Sequence, residues 1–383
     1  MVPMKPLALL LLSALLAACS TPAGGSPGGS PRATSSPASA PSAAPASDVG
    51  LHGQIAYVAG LDPQIHLLDV ATGESRQLTE LRPEHAELTA SGPMRPALTC
   101  GFGAWSLTWS PDGRHLAVSY GSCDSVVDVV DLEGTLRRIG DGGAPAWSPD
   151  GTRLLHASNV PYSPCGPGCG SEPPEPTAWA LRIIDLADDD AESRPFTADG
   201  STSGAGSPAW SPDGSTIAYS APPPAGAGGE GVFSATYLVD AAGGAPRLVG
   251  NGIWPLRWLS DGRLLVTSEA DSTVLAIDLD TGDSSVVAPP QTSMVSPDGS
   301  RIVAWVVDAV SGEQTSQLLD EGGEVLAHIR GDAVAWSPDS SALAALDRVT
   351  SSVLILGRDG ALLATHPVEL EGGGGNGSWR PGS

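Results

Sequence analysis

Trp109-Ser-Pro-Asp-Gly113 returns at Trp147–Gly151 and Trp210–Gly214, and in altered form at Trp258–Gly262 (Trp-Leu-Ser-Asp-Gly), Val295–Gly299 (Val-Ser-Pro-Asp-Gly) and Trp336–Ser340 (Trp-Ser-Pro-Asp-Ser). One short motif returning every few dozen residues marks a repeat architecture. Within it Pro holds φ at the second turn position, Asp hydrogen-bonds to nearby backbone, and Gly takes the left-handed site, so each copy predicts a tight hairpin. Each motif is followed by a short apolar run (His115–Tyr120, Ile217–Tyr219, Arg301–Trp305). A second run ends in Asp, as in Ile65–Asp69 and Val127–Asp131, and a third follows a polar turn. The unit reads as four strands, A to D, with the motif joining A to B.

The C strands are apolar at successive positions (Leu67 and Leu68, Val129 and Val130, Ile183 and Ile184). A sheet wetted on one face would alternate strictly, so both faces of each sheet are predicted to be covered. Four-stranded antiparallel sheets stacked radially as propeller blades do this, and no long helical pattern competes after residue 50. B-to-D sets begin near Gln54, Arg114, Thr152, Ser215, Arg263, Arg301 and Ala342, which makes seven; A strands at the motif make only six. Asn376–Ser383, Asn-Gly-Ser-Trp-Arg-Pro-Gly-Ser, is a worn copy of the missing A strand, centred on Trp379. The prediction is an all-β, seven-bladed propeller over residues 51–383, in which the C-terminal strand completes the first blade; six blades with an added N-terminal strand pair is the alternative.

Residues 1–18 hold one lysine, Lys5, and an apolar stretch from Leu7 to Ala18, too short to span a membrane and laid out as a secretory signal. Leu16-Ala17-Ala18-Cys19 resembles a bacterial lipobox, and that resemblance implies cleavage before Cys19 and a diacylglyceryl thioether on its sulfur. Residues 19–50 are almost entirely Ser, Pro, Ala, Gly and Thr, the composition of a disordered stalk with a root-mean-square reach of about 30 Å. The expected location is outside the cytoplasm, anchored to the cell membrane through Cys19, at the cell surface or in the periplasm. A formal charge of −24 opposes nucleic-acid binding and adsorption to anionic lipid. With Cys19 lipidated, four cysteines remain and allow three pairings. Loops opening on the same rim predict Cys100 with Cys123 and Cys165 with Cys169.

The motif, with the trailing Asp-x3-Gly-x4-Leu-Thr pattern of Asp69–Thr79, resembles the TolB-type, WD-like propeller repeats over residues 53–379. Such repeats serve partner-binding periplasmic proteins, the non-catalytic propellers of oligopeptidases, and surface lipoproteins, so the resemblance implies a binding scaffold more than a reaction. The single Gly-x-Ser-x-Gly, Gly24–Gly28, lies in the stalk with no strand or helix around it, and Gly226–Gly231 matches Gly-x-Gly-x-x-Gly by letters but opens no helix. His66, His115 and His156 fall on strand positions and read as structural. Asp188–Asp190 and Asp278–Asp283 suggest calcium, yet both occupy C-to-D turns where Asp and Gly are expected anyway; no metal or other cofactor is predicted. The six tryptophans of the repeat are assigned to the core.

In a propeller the D-to-A and B-to-C connections share one rim. All three long insertions, 80–104, 157–178 and 221–232, fall there, and long loops on a rigid scaffold concentrate binding. The side chains of that rim suited to an interface are Trp105, Asp124, Tyr162, Trp179, Trp254, Asp271 and Arg348. The reading is a monomeric, non-catalytic scaffold for another envelope protein or a glycan. The alternative is a lactonase- or lyase-type propeller enzyme with carboxylates and a divalent cation at the channel mouth.

Overall fold

The computed structural model describes residues 51–58, 64–80, 104–120, 125–158, 180–188, 191–196, 206–224, 226–227, 232–288, 292–307, 314–369 and 376–382. They form seven four-stranded antiparallel sheets. In A-to-D order, blade 1 is Gly377–Trp379, Gln54–Val58, Ile65–Asp69 and Ser75–Gln77; blade 2 is Ala104–Trp109, His115–Tyr120, Val126–Asp131 and Leu136–Asp141. Blade 3 is Gly143–Trp147, Arg153–Ser158, Ala180–Asp185 and Arg194–Pro195; blade 4 is Gly206–Trp210, Thr216–Ala221, Ala235–Asp240 and Arg247–Asn251. Blade 5 is Ile253–Trp258, Leu264–Ser268, Val274–Ile277 and Ser284–Ala288; blade 6 is Thr292–Val295, Arg301–Val307, Gln314–Asp320 and Val325–Ile329. Blade 7 is Asp332–Trp336, Ala342–Asp347, Ser352–Gly357 and Leu362–Pro367. The seven-blade count holds and the six-blade alternative falls. The motif residue ends each A strand rather than centring it.

Successive apolar residues on the C strands do face opposite ways. Leu68 packs between blades 7 and 1 while Leu67 packs between blades 1 and 2. Val130 joins the cluster between blades 1 and 2, and Val129 the one between blades 2 and 3. Similar clusters fill the 3/4, 4/5, 5/6 and 6/7 boundaries, so an apolar layer separates every adjacent pair and the ring is closed. Because no blade buries its own faces, stability is shared around the ring.

The clasp is built as the worn repeat predicts. Ile55, Ala56 and Tyr57 pair with Trp379, Ser378 and Gly377. Val58 N–H donates to Asn376 O at 3.0 Å, Arg380 N–H to Gln54 O at 2.7 Å, and the Arg380 guanidinium to Gln54 Oε1 at 2.7 Å.

A second linkage runs from blade to blade through the repeat tryptophans. The indole N–H of Trp109 donates to Ser378 O at 3.1 Å, Trp147 to Thr108 O at 3.0 Å, Trp210 to Ala146 O at 3.2 Å and Trp258 to Ala209 O at 3.0 Å. In each case the acceptor is the carbonyl just before the preceding blade's tryptophan. Blade 6 has Val295 at this position, so the 5/6 boundary lacks that donor. Arg257 of blade 5 substitutes from the other side, donating to Val295 O at 3.2 Å and Pro297 O at 3.4 Å. Burial pushes its pKa down, with Asp298 opposing.

The hairpin turn is held by its serine and aspartate. Ser110 Oγ donates to Asp112 Oδ1 at 2.6 Å and accepts the His115 N–H at 3.0 Å, and Gly113, at φ +67°, donates to Ser110 O at 2.9 Å. In the Trp336 copy Ser340 takes the glycine's place at φ +63°, and its hydroxyl accepts the Asp298 N–H of blade 6 at 3.0 Å. These bonds favour the ionised carboxylate. Ser211 and Ser215 hold Asp213 down at about 2. At Asp298 partial burial pulls upward, but bonds from Ser296 and Ser300, with Arg358 nearby, bring it to about 2 as well.

A carboxylate whose folded pKa lies below its unfolded value of about 3.9 contributes stability above that value, and the contribution is lost as pH falls through the folded pKa. Stability in urea is therefore expected to fall steeply between about pH 4 and about pH 2. Asp298→Ala is expected to cost about 1 kcal/mol at pH 7 and to flatten part of that fall. An unchanged acid limb in the variant would mean the turn aspartates do not carry it.

Candidate functional site

Antiparallel order places the A-to-B and C-to-D turns on one rim and the B-to-C and D-to-A connections on the other. The long connections run from Gln77 to Ala104, Ser158 to Ala180 and Ala221 to Ala235, all on the second rim. Of the interface residues expected there, Asp124, Tyr162 and Trp179 lie outside the described residues, as do Cys19, Cys100, Cys123, Cys165, Cys169 and the side chain of Trp105. Trp254 sits half-buried in the A strand of blade 5, opposite Thr267. Asp271 shapes the B-to-C turn of blade 5 by accepting the Thr273 N–H at 3.0 Å. Arg348 donates to Asp332 Oδ2 at 2.6 Å. The last two are thus engaged locally, and the described residues do not bring the three together.

Phe233, which the sequence did not single out, is 80 % exposed in the B-to-C connection of blade 4. Its N–H donates to Glu269 Oε2 at 3.0 Å, tying that connection to blade 5. Its signal in the sequence was a lone aromatic beside a Gly-rich run.

An enzyme of the lactonase or lyase type would need carboxylates converging at the channel mouth. Asp332 is the single acidic residue of the seven A strands, and it is paired with Arg348. Of the two turns considered for calcium, Asp189 and Asp190 lie outside the described residues, and in the other Asp278 Oδ1 accepts the N–H groups of Asp280 and Thr281, both at 3.0 Å. Two of the strand histidines are engaged within the blades. His66 stacks on Tyr57 at 5.4 Å. His156 is fully buried, bonded through Nε2 to Ser193 Oγ at 2.7 Å, and burial with the nearby Arg182 pushes its pKa down to about 4.

A further buried polar group sits in blade 2. Asp128, 2 % exposed, accepts from the Tyr120 hydroxyl and from Arg138 Nε at 2.5 Å, and Arg138 also donates to the Tyr120 oxygen at 3.1 Å. This network faces blade 1.

A cleft lies on the opposite rim from the long connections. It opens between blades 4 and 5, with a volume of about 670 Å³, and is lined by Thr216, Asp240, Arg247, Trp258, Asp261 and Asp278 among others. Trp258 is only half-buried, a departure from the expectation that all six repeat tryptophans are core; the other five are 6–8 % exposed.

No protein-family model matches the chain, and none of the curated proteins matches it. Solved structures resemble it distantly. A putative TolB from Agrobacterium tumefaciens is 15 % identical, with 72 % of this chain and 87 % of that one aligned at a TM-score of 0.42. A functionally unknown protein from Desulfotomaculum acetoxidans is 12 % identical over 86 % of this chain and 100 % of that one, at a TM-score of 0.48. A puromycin-hydrolyzing peptidase from Mycobacterium tuberculosis is 18 % identical over 70 % of this chain and 41 % of that one, at 0.48. The propeller is established by the seven sheets themselves, and at these identities and scores the likeness assigns neither family nor role.

Proposed function

We propose that this chain is an exported propeller, anchored through a lipid on Cys19, that binds another cell-envelope protein without catalysing a reaction. The observation that carries this reading is the one-sided placement of the long connections on a closed ring. A ring whose blades are all apolar at their boundaries is a rigid platform, and connections extended on one rim only give it a directed surface. The Ser-, Pro-, Ala- and Gly-rich composition of residues 19–50 suits a tether between such an anchor and the platform. Turn serines and aspartates of the repeat, and the indole N–H groups of Trp109, Trp147, Trp210 and Trp258, are engaged in turns and blade linkages, which suits a scaffold.

Cross-linking capture from intact cells tests this, comparing the native chain with a variant whose three long connections are cut to short turns. A specific envelope protein recovered with the native chain and lost, by about tenfold or more, with the variant is the expected result. Equal recovery from both would move the interface off this rim and overturn the reading.

A further inference from the structure

At the cleft between blades 4 and 5, three devices that are seen at some other blade boundaries are absent. The first is a cap on the tryptophan. At two boundaries the first residue of the B strand reaches the next blade's tryptophan: His115 lies 6.4 Å from the Trp147 ring, and the Arg153 guanidinium stands 4.7 Å over Trp210. The equivalent residue before Trp258 is Thr216, too short to cover the ring, and both line the cleft. Among the described residues no cation lies over Trp258, whereas Trp109 is also covered, by Arg380 at 5.7 Å.

The second device is an arginine on the D strand. Arg76 and Arg137 stand opposite Leu67 and Val129, two residues before the aspartate that ends each C strand. They donate to the next blade's C-to-D turn, Arg76 to Leu132 O at 2.8 Å and Arg137 to Asp188 O at 3.0 Å. Arg247 occupies the same register position opposite Leu238 but remains exposed on the lip of the cleft. The third is turn docking. Gly134 and Gly360 approach the preceding blade so closely that a Cβ would overlap Leu78 O and Ala327, while a Cβ on Gly282 of blade 5 would meet nothing within 4 Å. Accordingly the cluster between blades 4 and 5 has only four fully buried members, Ala218, Leu238, Leu264 and Val266.

We propose that this cleft binds the guanidinium of an arginine side chain presented by a partner protein, stacked on Trp258 where the fold itself places Arg153 on Trp210. An indole face attracts a cation, and a planar guanidinium stacks on it while its donor fork reaches carboxylates alongside. Asp240 and Asp278 are placed for that. Each uses Oδ1 for its own turn, accepting Ala242 N–H at 2.7 Å and Asp280 N–H at 3.0 Å, and the second oxygen of each accepts no hydrogen bond among the described residues, with the Arg263 charge near Asp278. Of the two arginines on the walls, Arg263 is already paired with Asp261 at 2.8 Å. The volume suits a side chain and its flanking backbone. The site lies on the short-turn rim, separate from the surface proposed above.

The test uses the full chain and three blocked tripeptides, Gly-Arg-Gly, Gly-Lys-Gly and Gly-citrulline-Gly, titrated at low ionic strength and followed by ligand-observed NMR. The arginine peptide is expected to bind with a Kd on the order of 1 mM, and the neutral, isosteric citrulline peptide about tenfold more weakly. Thr216→Arg supplies the missing cap from within; it is expected to fold, to raise the unfolding midpoint, and to weaken the arginine peptide about tenfold. Should that variant fail to fold, Asp278→Asn gives the same reading through a several-fold loss that salt also produces. Citrulline or lysine binding as well as arginine, or undiminished binding to folded Thr216→Arg or to Asp278→Asn, would overturn the proposal. Capture through the long-connection rim should be unaffected by Thr216→Arg, so the two readings fail separately.

Discussion

Deletion of residues 375–383 is expected to destabilise the whole propeller, lowering the free energy of unfolding by about 4 kcal/mol or more and the thermal midpoint by about 10 °C. The segment supplies the inner strand of blade 1, and with it Trp379, 6 % exposed in the cluster that joins blades 7 and 1. It also supplies Ser378 O, the acceptor for the Trp109 indole, and Arg380, whose Nε donates to Gly113 O of blade 2 at 2.6 Å. Losing it therefore loosens two boundaries at once, and a buried aromatic removed by itself costs about 3–5 kcal/mol. Since whole domains are stable by only about 5–15 kcal/mol, much of the population should lose fixed packing. Trp379→Ala, which keeps the strand backbone, should show the smaller part of the effect. Calorimetry on the two variants checks this; a truncated chain melting like the native one would mean that blade 1 stands on three strands.

Asp128→Ala is expected to cost about 3 kcal/mol, measured by chemical denaturation at neutral pH. The carboxylate is the shared acceptor of the Tyr120 hydroxyl and Arg138, flanked in its strand by Val126, Val127, Val129 and Val130. Deleting it strips a shared acceptor from a buried hydroxyl and a guanidinium that is only 29 % exposed. Breaking one member of a buried pair costs more than the pair contributes, because the remaining partner stays desolvated. Arg138→Leu added to Asp128→Ala should recover about half the loss, and Asp128→Asn, which keeps an acceptor oxygen, should cost less than alanine. Additive single costs in the double-mutant cycle would mean that the two side chains act independently.

The blade count and the clasp were legible because they rest on local chemistry repeated along the chain. Trp-Ser-Pro-Asp-Gly specifies a hairpin wherever it occurs, and Asn376–Ser383 retains enough of it to be recognised as a strand without its turn. The Asp128 network was less visible. In Val127-Asp128-Val129-Val130-Asp131 the terminal aspartate recurs in other repeats and explains itself as a turn residue. The internal one needed the register that sets Asp128 opposite Arg138 across the C-to-D hairpin. The cleft was not legible at all. Trp258 belongs to the same motif as Trp210, and what separates them is Thr216 against Arg153, residues of the preceding blades.

The sequence by itself determined the all-β class, the four-stranded unit, the number of units and which rim carries the long connections. Each of these follows from turn chemistry and the two-sided apolar pattern of single strands. Only the tertiary structure decided which tryptophans are covered, where Arg257 replaces the missing indole of blade 6, and where two blades part to leave a cleft. The physical reason is that these depend on pairs of residues tens of positions apart, brought within contact distance by the stacking of one blade on the next, and no local pattern records the length of the side chain that will lie across the boundary.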